Sequence, residues 1–152
     1  MERTLVILKP SAVQRGLIGE IITRIERKGL KITAMKMARL DDEILRSHYA
    51  HLVERPFFPL ILDSMKAAPV VLMCVEGVGA VDILHTMAGA TNGRKAAFGT
   101  IRGDYSMSGQ ENIIHTSDSP ENAETELSRF FCESDYCPWT PALQSSIYAP
   151  DE

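Results

Sequence analysis

Short apolar runs alternate with segments of helical periodicity, and this alternation is the feature that most restricts the possible folds. Residues 5–8 and 70–75 are continuous runs of apolar and β-branched side chains, which is typical of buried strands. Apolar and polar residues alternate imperfectly over residues 31–40, which predicts another strand. Ile113-Ile114 marks the end of a short fourth strand. We therefore predict about four strands.

The segments between these runs carry helix signals. Apolar residues from Leu17 to Ile25 repeat at helical spacing, Asp41-Asp42 caps a second helix, and Arg55-Pro56 opens a third. Residues 77–87 predict a further helix, and Ser119-Pro120 begins the last, which extends to about residue 131. The order predicts an α+β sandwich, ferredoxin-like βαββαβ, with a four-stranded antiparallel sheet, helices on one face and an added helical hairpin.

Length and composition limit the functional classes. At 152 residues the chain suits a single domain (1–152), whose tail (132–152) keeps large apolar groups such as Trp139 and is expected to dock. The net charge of −4 argues against a broad nucleic-acid-binding face, so an anion site must be focal. Without a secretory h-region or a long apolar span, we expect a cytoplasmic protein that does not enter the membrane, with reduced structural cysteines and no zinc site.

One histidine lies where a strand gives way to a helix. His115 follows Ile113-Ile114 and precedes the helix that Ser119 caps, and N–H groups at a helix start favour anions. We therefore interpret His115 as a nucleophile for phosphate. His48, His51 and His85 fall within helical patterns and are expected to be solvated or structural.

Two further features bear on such a site. Lys9 emerges at the end of the first strand. Residues 89–111 lose all periodicity and are rich in glycine, and long loops inside compact domains are usually functional.

Several separate motifs, in order, make the chain resemble nucleoside diphosphate kinases from about residue 3 to residue 131. They are Lys9-Pro10, Arg55-Pro56-Phe57-Phe58, Gly89-Ala90-Thr91-Asn92, Gly99-Thr100-Ile101-Arg102-Gly103-Asp104 and Asn112-Ile113-Ile114-His115-Thr116-Ser117-Asp118-Ser119. The resemblance implies ping-pong transfer of a γ-phosphate from a nucleoside triphosphate to a nucleoside diphosphate.

The same resemblance implies a role for each matching residue. His115 would be the phosphorylated nucleophile and Phe57 the platform for the base, whereas helical geometry alone does not choose between Glu124 and Glu126, and the family pattern selects Glu126. The other implied residues are the phosphate and ribose contacts Lys9, Thr91, Arg102 and Asn112, and the ordering residues Tyr49, Ser117 and Glu126.

The proposed chemistry suits these residue types. A P–N bond is labile enough for nearly thermoneutral transfer, and an imidazole with an ordinary pKa near 6.5 is roughly three quarters neutral at pH 7. Cationic side chains stabilise the developing charge, and Mg²⁺ is expected on the nucleotide phosphates. Stacking on Phe57 would not discriminate between bases.

Three positions depart from the family pattern. His85 replaces an arginine that grips phosphates, Thr116 replaces a glycine after the nucleophile, and Gly109 replaces an apolar residue opposite Phe57. Since imidazole offers fewer donors than guanidinium, we expect competent chemistry with a raised KM for nucleotides.

Other functional classes account for fewer of these sequence features. An RNA-binding sheet would need aromatic residues on its strands, which are absent here, and Arg102-Gly103-Asp104 is better explained as part of a phosphate loop than as an adhesion tripeptide. The alternative is a catalytically weakened relative that acts as a nucleotide-binding or interaction protein. The resemblance also implies a homo-oligomer, and Ile147-Tyr148 favours a hexamer over a tetramer.

Overall fold

The computed structural model describes residues 1–152 and contains one four-stranded antiparallel sheet. Its strands are β1 (Glu2–Leu8), β2 (Lys31–Ala38), β3 (Val70–Gly77) and β4 (Ile114–Thr116), in the order β2-β3-β1-β4. The central strand β1 pairs with β3 on one side and with β4 on the other, where Ile7 lies opposite His115. The prediction of an α+β fold on the ferredoxin-like plan is confirmed.

Seven α-helices connect and follow the strands. They are α1 (Pro10–Gln14), α2 (Ile18–Arg27), α3 (Asp42–His48), α4 (Phe58–Lys66), α5 (Ala80–Ala88), α6 (Ile101–Tyr105) and α7 (Pro120–Phe130). Helices α3 and α4 lie between β2 and β3, at the place of the predicted added hairpin. None of these helices is both long enough and apolar enough to cross a bilayer.

Helices cover both faces of the sheet, so the expectation of helices on one face was wrong. One core cluster joins Val6 and Met73 to Ile21 of α2 and Leu84 of α5. A second cluster lies on the opposite face and includes residues of α3, α4 and α7. Because strand residues 5–8 are all fully buried, they cannot alternate between core and solvent, and continuous apolar runs of this kind require two covered faces.

Local capping explains where the helices begin. The Asp41 carboxylate accepts a hydrogen bond from the backbone N–H of Ile44 at 2.9 Å, and the Ser119 hydroxyl accepts one from Asn122 at 3.1 Å. The helix after Asp41 was expected to continue to Leu52. It ends instead at His48 and is followed by a short 3₁₀ segment, Ala50–Leu52.

The glycine-rich stretch 89–111 is a compact loop that contains α6, which the absence of periodicity did not predict. Its glycines permit close backbone approaches. A Cβ atom on Gly103 would lie 1.9 Å from the carbonyl oxygen of Ala97, and one on Gly93 would lie 2.2 Å from that of Ser106. The loop therefore folds tightly through backbone contacts rather than through an apolar stripe.

The tail, residues 132–152, runs along β2 and the turn before it. The backbone N–H of Cys137 donates to Thr33 O at 2.7 Å, and the Trp139 indole N–H donates to Ile32 O at 2.9 Å. The Tyr148 hydroxyl accepts from Val78 N at 3.3 Å. The tail thus satisfies backbone groups of the edge strand β2 and of the turn after β3.

Candidate active site

Two adjoining cavities form a cleft at the end of β1 and β4. One has a volume of about 320 Å³ and includes Phe57, Leu52 and Ile61 in its lining, and the other has a volume of about 580 Å³ and is lined mainly by polar residues. Both cavities contain Lys9, Tyr49, Thr91 and Asn112 in their walls. A ligand with an apolar ring and a charged chain could therefore occupy both.

The polar cavity concentrates groups that bind anions. All four histidines of the chain line it, together with Lys9, Arg102 and Arg129, whereas its only carboxylates are Asp118 and Glu126. The whole chain carries a net charge of −4, so this local excess of cationic side chains is what a focal anion site requires.

His115 lies on β4 with about a quarter of its side chain exposed to the cleft. Its Nε2 atom is hydrogen-bonded to Glu126 Oε2 of α7, which leaves Nδ1 as the ring nitrogen without a protein partner. Glu124 instead forms an exposed two-bond ion pair with Arg3 at 2.8 Å. The structure thus brings Glu126 to His115 and places Glu124 elsewhere.

The backbone before His115 is held in an unusual conformation. Ile113 has a φ of 76°, in the left-handed region that β-branched residues rarely adopt, and it is fully buried. Its carbonyl accepts the backbone N–H of Lys9 at 2.8 Å. Such strain costs on the order of 1–3 kcal/mol and is usually found at functional sites. Here the strained residue Ile113 connects the end of β1 to the start of β4 through its hydrogen bond with Lys9.

Lys9 and Asn112 contact each other across this junction. Lys9 Nζ donates to Asn112 Oδ1 at 2.7 Å, and the Asn112 amide nitrogen donates to the carbonyl of Thr91 at 2.9 Å. Burial, with a contribution from the nearby charge of Arg102, lowers the pKa of Lys9 to about 8. The ammonium is therefore still largely charged near neutral pH but is poorly hydrated, which favours pairing with an anion.

Arg102 is buried at the back of the cleft and is bound to three backbone carbonyls. Its Nη1 donates to Gly89 O at 2.7 Å, its Nη2 to Ile114 O at 2.6 Å, and its Nε to Asn112 O at 3.3 Å. A guanidinium has five N–H donors, so two remain available for a ligand. Burial also lowers the pKa of Arg102.

The apolar cavity lies beside Phe57, which is 40% exposed at the start of α4. Gly109 and Gln110 line the same cavity, and Gln110 Nε2 donates to Leu60 O at 2.8 Å. A Cβ atom added to Gly109 would meet nothing closer than Asn92 at 3.9 Å. The absence of a side chain at residue 109 therefore leaves open space in the cavity that Phe57 also lines.

Tyr49 lines the polar cavity with His115, whereas Ser117 follows His115 by two residues. Burial, with the charge of Glu126, raises the pKa of Tyr49 to about 12, so its hydroxyl keeps its proton. Ser117 is fully buried, and its Oγ accepts the backbone N–H of Leu5 at 3.3 Å. No hydrogen bond joins Ser117 to Glu126. In this structure the serine therefore fixes the strand, whereas Glu126 forms the hydrogen bond to the His115 ring.

The departures at His85 and Thr116 differ in consequence. His85 is exposed at the end of α5 and lines the polar cavity, so the position faces the expected phosphate site. Thr116 pairs with Val6 within β4 and has no left-handed backbone. Replacing glycine there causes no backbone strain.

Two residues near His115 were missed by sequence reasoning. His48 is 8% exposed, and its ring packs edge-on against that of His115 with centroids 4.7 Å apart. Arg129, one helical turn after Glu126, donates to His48 Nδ1 at 3.0 Å. The i, i+3 spacing of Glu126 and Arg129 was the available signal.

The cluster of His48, His115 and Glu126 has the N, N, O donor set that transition metals prefer. Its ligand atoms lie within 4.8 Å of one another. However, Arg129 already occupies His48 Nδ1, and its positive charge opposes a cation at that place. The cluster is therefore better suited to holding an imidazole in position.

Comparisons with known proteins agree with this geometry. The family model for nucleoside diphosphate kinase matches residues 2–136. The chain is 60% identical over 152 residues to a nucleoside diphosphate kinase of Parabacteroides distasonis, covering 100% of this chain and 99% of that protein. It is 49% identical to one of Archaeoglobus fulgidus over 97% of this chain and 98% of that protein.

A solved structure shows the same fold. The nucleoside diphosphate kinase of Halobacterium salinarum, in complex with CDP, superposes with a TM-score of 0.94 at 40% identity, covering 97% of this chain and 98% of that one. Sequence and structure thus agree along almost the whole length, and the chain belongs to the nucleoside diphosphate kinase family.

Proposed function

We propose that the chain reversibly transfers the γ-phosphate of a nucleoside triphosphate to a nucleoside diphosphate by a ping-pong mechanism through phosphohistidine at His115. The observation that carries this proposal is the placement of His115. Glu126 holds its Nε2, its Nδ1 is without a protein partner, and the cleft beside it is lined by Lys9 and Arg102.

In the first half-reaction the Nδ1 lone pair of the neutral imidazole attacks the γ-phosphorus. The P–N bond forms as the bond to the β–γ bridging oxygen breaks, and the leaving nucleoside diphosphate takes that electron pair. The proton on Nε2 stays in its hydrogen bond to Glu126, which stabilises the positive charge that develops on the ring. A second nucleoside diphosphate reverses these steps and regenerates the imidazole.

Lys9 and Arg102 supply charge stabilisation during both half-reactions. Phosphoryl transfer depends mostly on positioning and on neutralising the non-bridging oxygens. Lys9 is poorly hydrated, and Arg102 has two unused N–H donors. Removing one such contact should cost about 2–4 kcal/mol of transition-state stabilisation, by analogy with oxyanion donors. Thr91 and Asn112 line the same wall and would contact phosphate and ribose.

The remaining assigned residues order the site. Tyr49 lines both cavities and keeps its hydroxyl proton, so it would donate a hydrogen bond near the histidine. Ser117 would fix the strand that carries His115 through its bond to Leu5.

The base would stack on Phe57, within the apolar cavity. The relative from Halobacterium salinarum was solved with CDP, which supports a nucleoside diphosphate as the ligand class. Every base offers a π-face, so we expect broad tolerance of bases. The open space at Gly109 removes one apolar contact and supports a raised KM.

Mg²⁺ is the cofactor we propose, carried mainly by the nucleotide phosphates. The polar cavity contains only Asp118 and Glu126 as carboxylates, and Glu126 is bonded to His115, which fits a cation held by phosphate and water rather than by a protein cage. When bound, Mg²⁺ would neutralise phosphate charge and orient the γ-phosphate.

Steady-state kinetics test the proposed function. With ATP as donor and a deoxynucleoside diphosphate as acceptor, double-reciprocal plots at several acceptor concentrations should be parallel, as a covalent intermediate requires. Intersecting lines would exclude the ping-pong mechanism. The alternative of a catalytically weakened interaction protein is favoured by no observation, and it predicts negligible turnover with retained nucleotide binding.

Self-association is a further proposal. The edge strand β2 exposes Met35 and Met37, at 57% and 58%, beside backbone groups that have no neighbouring strand. We expect a homo-oligomer, with a hexamer favoured over a tetramer, and light scattering would decide. No specific nucleic-acid partner is expected.

Domain organisation and location also remain predictions. Both core clusters share the one sheet, which supports a single domain over residues 1–152, and the contacts of the tail support its docking role. A cytoplasmic location would be tested by fractionation.

A further inference from the structure

His48 is the last residue of α3, and its buried ring packs against Phe130 of α7 and against His115, the proposed nucleophile. Its ring is edge-on to those of His115, Tyr49 and Phe130, with centroid separations of 4.7, 4.7 and 5.3 Å. It touches the reacting residue yet has no part in the mechanism proposed above. Its protonation state nevertheless matters, because it lies beside the carboxylate that holds His115.

Arg129 fixes that protonation state by geometry. Its Nη1 lies 3.0 Å from His48 Nδ1, and its Nε donates to Ser47 Oγ at 3.1 Å, so two contacts orient the guanidinium. Arginine has no acceptor, so His48 Nδ1 must accept the hydrogen bond. The single proton of the neutral ring must then be on Nε2.

Glu126 lies between the two imidazoles. Its Oε2 atom is hydrogen-bonded to His115 Nε2 and lies 3.7 Å from His48 Nδ1. If His48 Nδ1 carried a proton, that N–H would become a competing donor to the same oxygen. His115 would then lose part of the contact that orients it.

We propose that Arg129 is a positioning residue that, by donating to His48 Nδ1, keeps Glu126 committed to His115. The inference rests on the proposed function of His115. Arg129 itself is not expected to touch the phosphoryl group in order to play this role.

The surrounding charges agree with a neutral His48. Burial, followed by the charges of His115, Arg129, Lys9 and His51, lowers the pKa of His48 to about 2. The ionisable groups that face the ring are therefore cationic or neutral, apart from Glu126. Without Arg129, His48 Nδ1 no longer accepts that hydrogen bond, so the proton of the neutral ring can move from Nε2 to Nδ1 and bond to Glu126.

The test uses the full-length protein and two variants, Arg129→Leu and Arg129→Lys. Long-range ¹H–¹⁵N spectra of the histidine rings report the tautomer without any need for activity. Between about pH 5 and 8, the window in which histidines titrate, wild type should show His48 protonated on Nε2 only. In Arg129→Leu the proton should appear on Nδ1 or on both nitrogens, and Arg129→Lys should restore the wild-type pattern at least in part.

Kinetics then distinguish positioning from a general structural effect. Arg129→Leu should lower kcat about tenfold, with KM changed by less than about twofold. In a His48→Phe background, where no competing donor exists, Arg129→Leu should have no further effect on kcat.

Two results would overturn the proposal. One is an unchanged His48 tautomer in Arg129→Leu. The other is an undiminished loss of kcat in the His48→Phe background. Should His48→Phe fail to fold, the spectra of Arg129→Leu still decide. If wild type shows the expected tautomer but never becomes phosphorylated, the proposed function fails while the contact itself stands.

Discussion

Glu126 Oε2 accepts a hydrogen bond from His115 Nε2 across the junction between β4 and α7. One ring nitrogen is thereby tied to a rigid helix while the other has no protein partner. The ring orientation is set before substrate arrives, which is the condition that efficient phosphoryl transfer requires.

Glu126→Gln tests that relationship. The amide can still form a hydrogen bond, but it cannot stabilise a positive ring and can donate to Nε2, which stabilises the other tautomer. We expect kcat to fall by about 10- to 100-fold, as for carboxylates that orient metal-bound imidazoles. Glu124→Gln, on the same helix but paired with Arg3, is the matched control and should keep wild-type kcat. Equal losses in the two variants would contradict the assigned role.

Arg102→Lys should reduce stability as well as activity. One ammonium cannot reach the carbonyls of Gly89, Asn112 and Ile114 together, and each lost hydrogen bond from a charged donor costs about 1.5–3 kcal/mol. We expect the free energy of unfolding in urea to fall by roughly 2–4 kcal/mol. Arg94→Lys, which alters an exposed contact to Met107 O, should change it by less than about 0.5 kcal/mol. Similar values for both variants would show that the buried contacts of Arg102 add little.

His85→Arg should strengthen nucleotide binding. The position lines the polar cavity, and a charge-assisted hydrogen bond contributes about 1.5 kcal/mol or more, so KM should fall about tenfold with kcat nearly unchanged. His85→Gln, which adds no charge, serves as the control. A wild-type protein with ordinary affinity, and no gain in His85→Arg, would refute the raised KM.

Activity should decline in alkaline solution because of Lys9. Its pKa is lowered to about 8, mainly by burial, so the free protein loses this positive charge as the pH rises through that value. Because kcat/KM reports groups in the free enzyme, kcat/KM should fall above about pH 8. In Lys9→Arg, whose side chain stays charged, whatever activity remains should lack this decline. The same alkaline decline in both proteins would assign it to another group.

Much of the fold could be predicted because the strands are marked by composition alone. Two runs of apolar residues identified β1 and β3, and Asp41 and Ser119 were recognised as caps whose hydrogen bonds the structure shows. The same two runs also indicate a sheet covered on both faces, since neither run alternates between apolar and polar residues. Helix α6 was missed because it has five residues and lies in a loop held by backbone contacts.

Site residues could be predicted from the sequence only where they belong to a recognisable motif. The structure brings Lys9, from the start of the chain, beside the segment that contains Asn112 and His115, and both parts carry a recognisable motif. His48 and Arg129 lie in no such motif. Their relation to Glu126 depends on how α3 packs against α7, which periodicity does not reveal.

Labelling with γ-³²P-ATP tests the phosphohistidine most directly. The protein, separated from nucleotide, should carry label that is stable in base, lost in acid and transferred to added nucleoside diphosphate, as a P–N bond on an imidazole requires. His115→Ala should carry none, whereas His85→Gln should label as wild type does. Unlabelled wild-type protein, or label that persists in His115→Ala, would contradict the central role of His115.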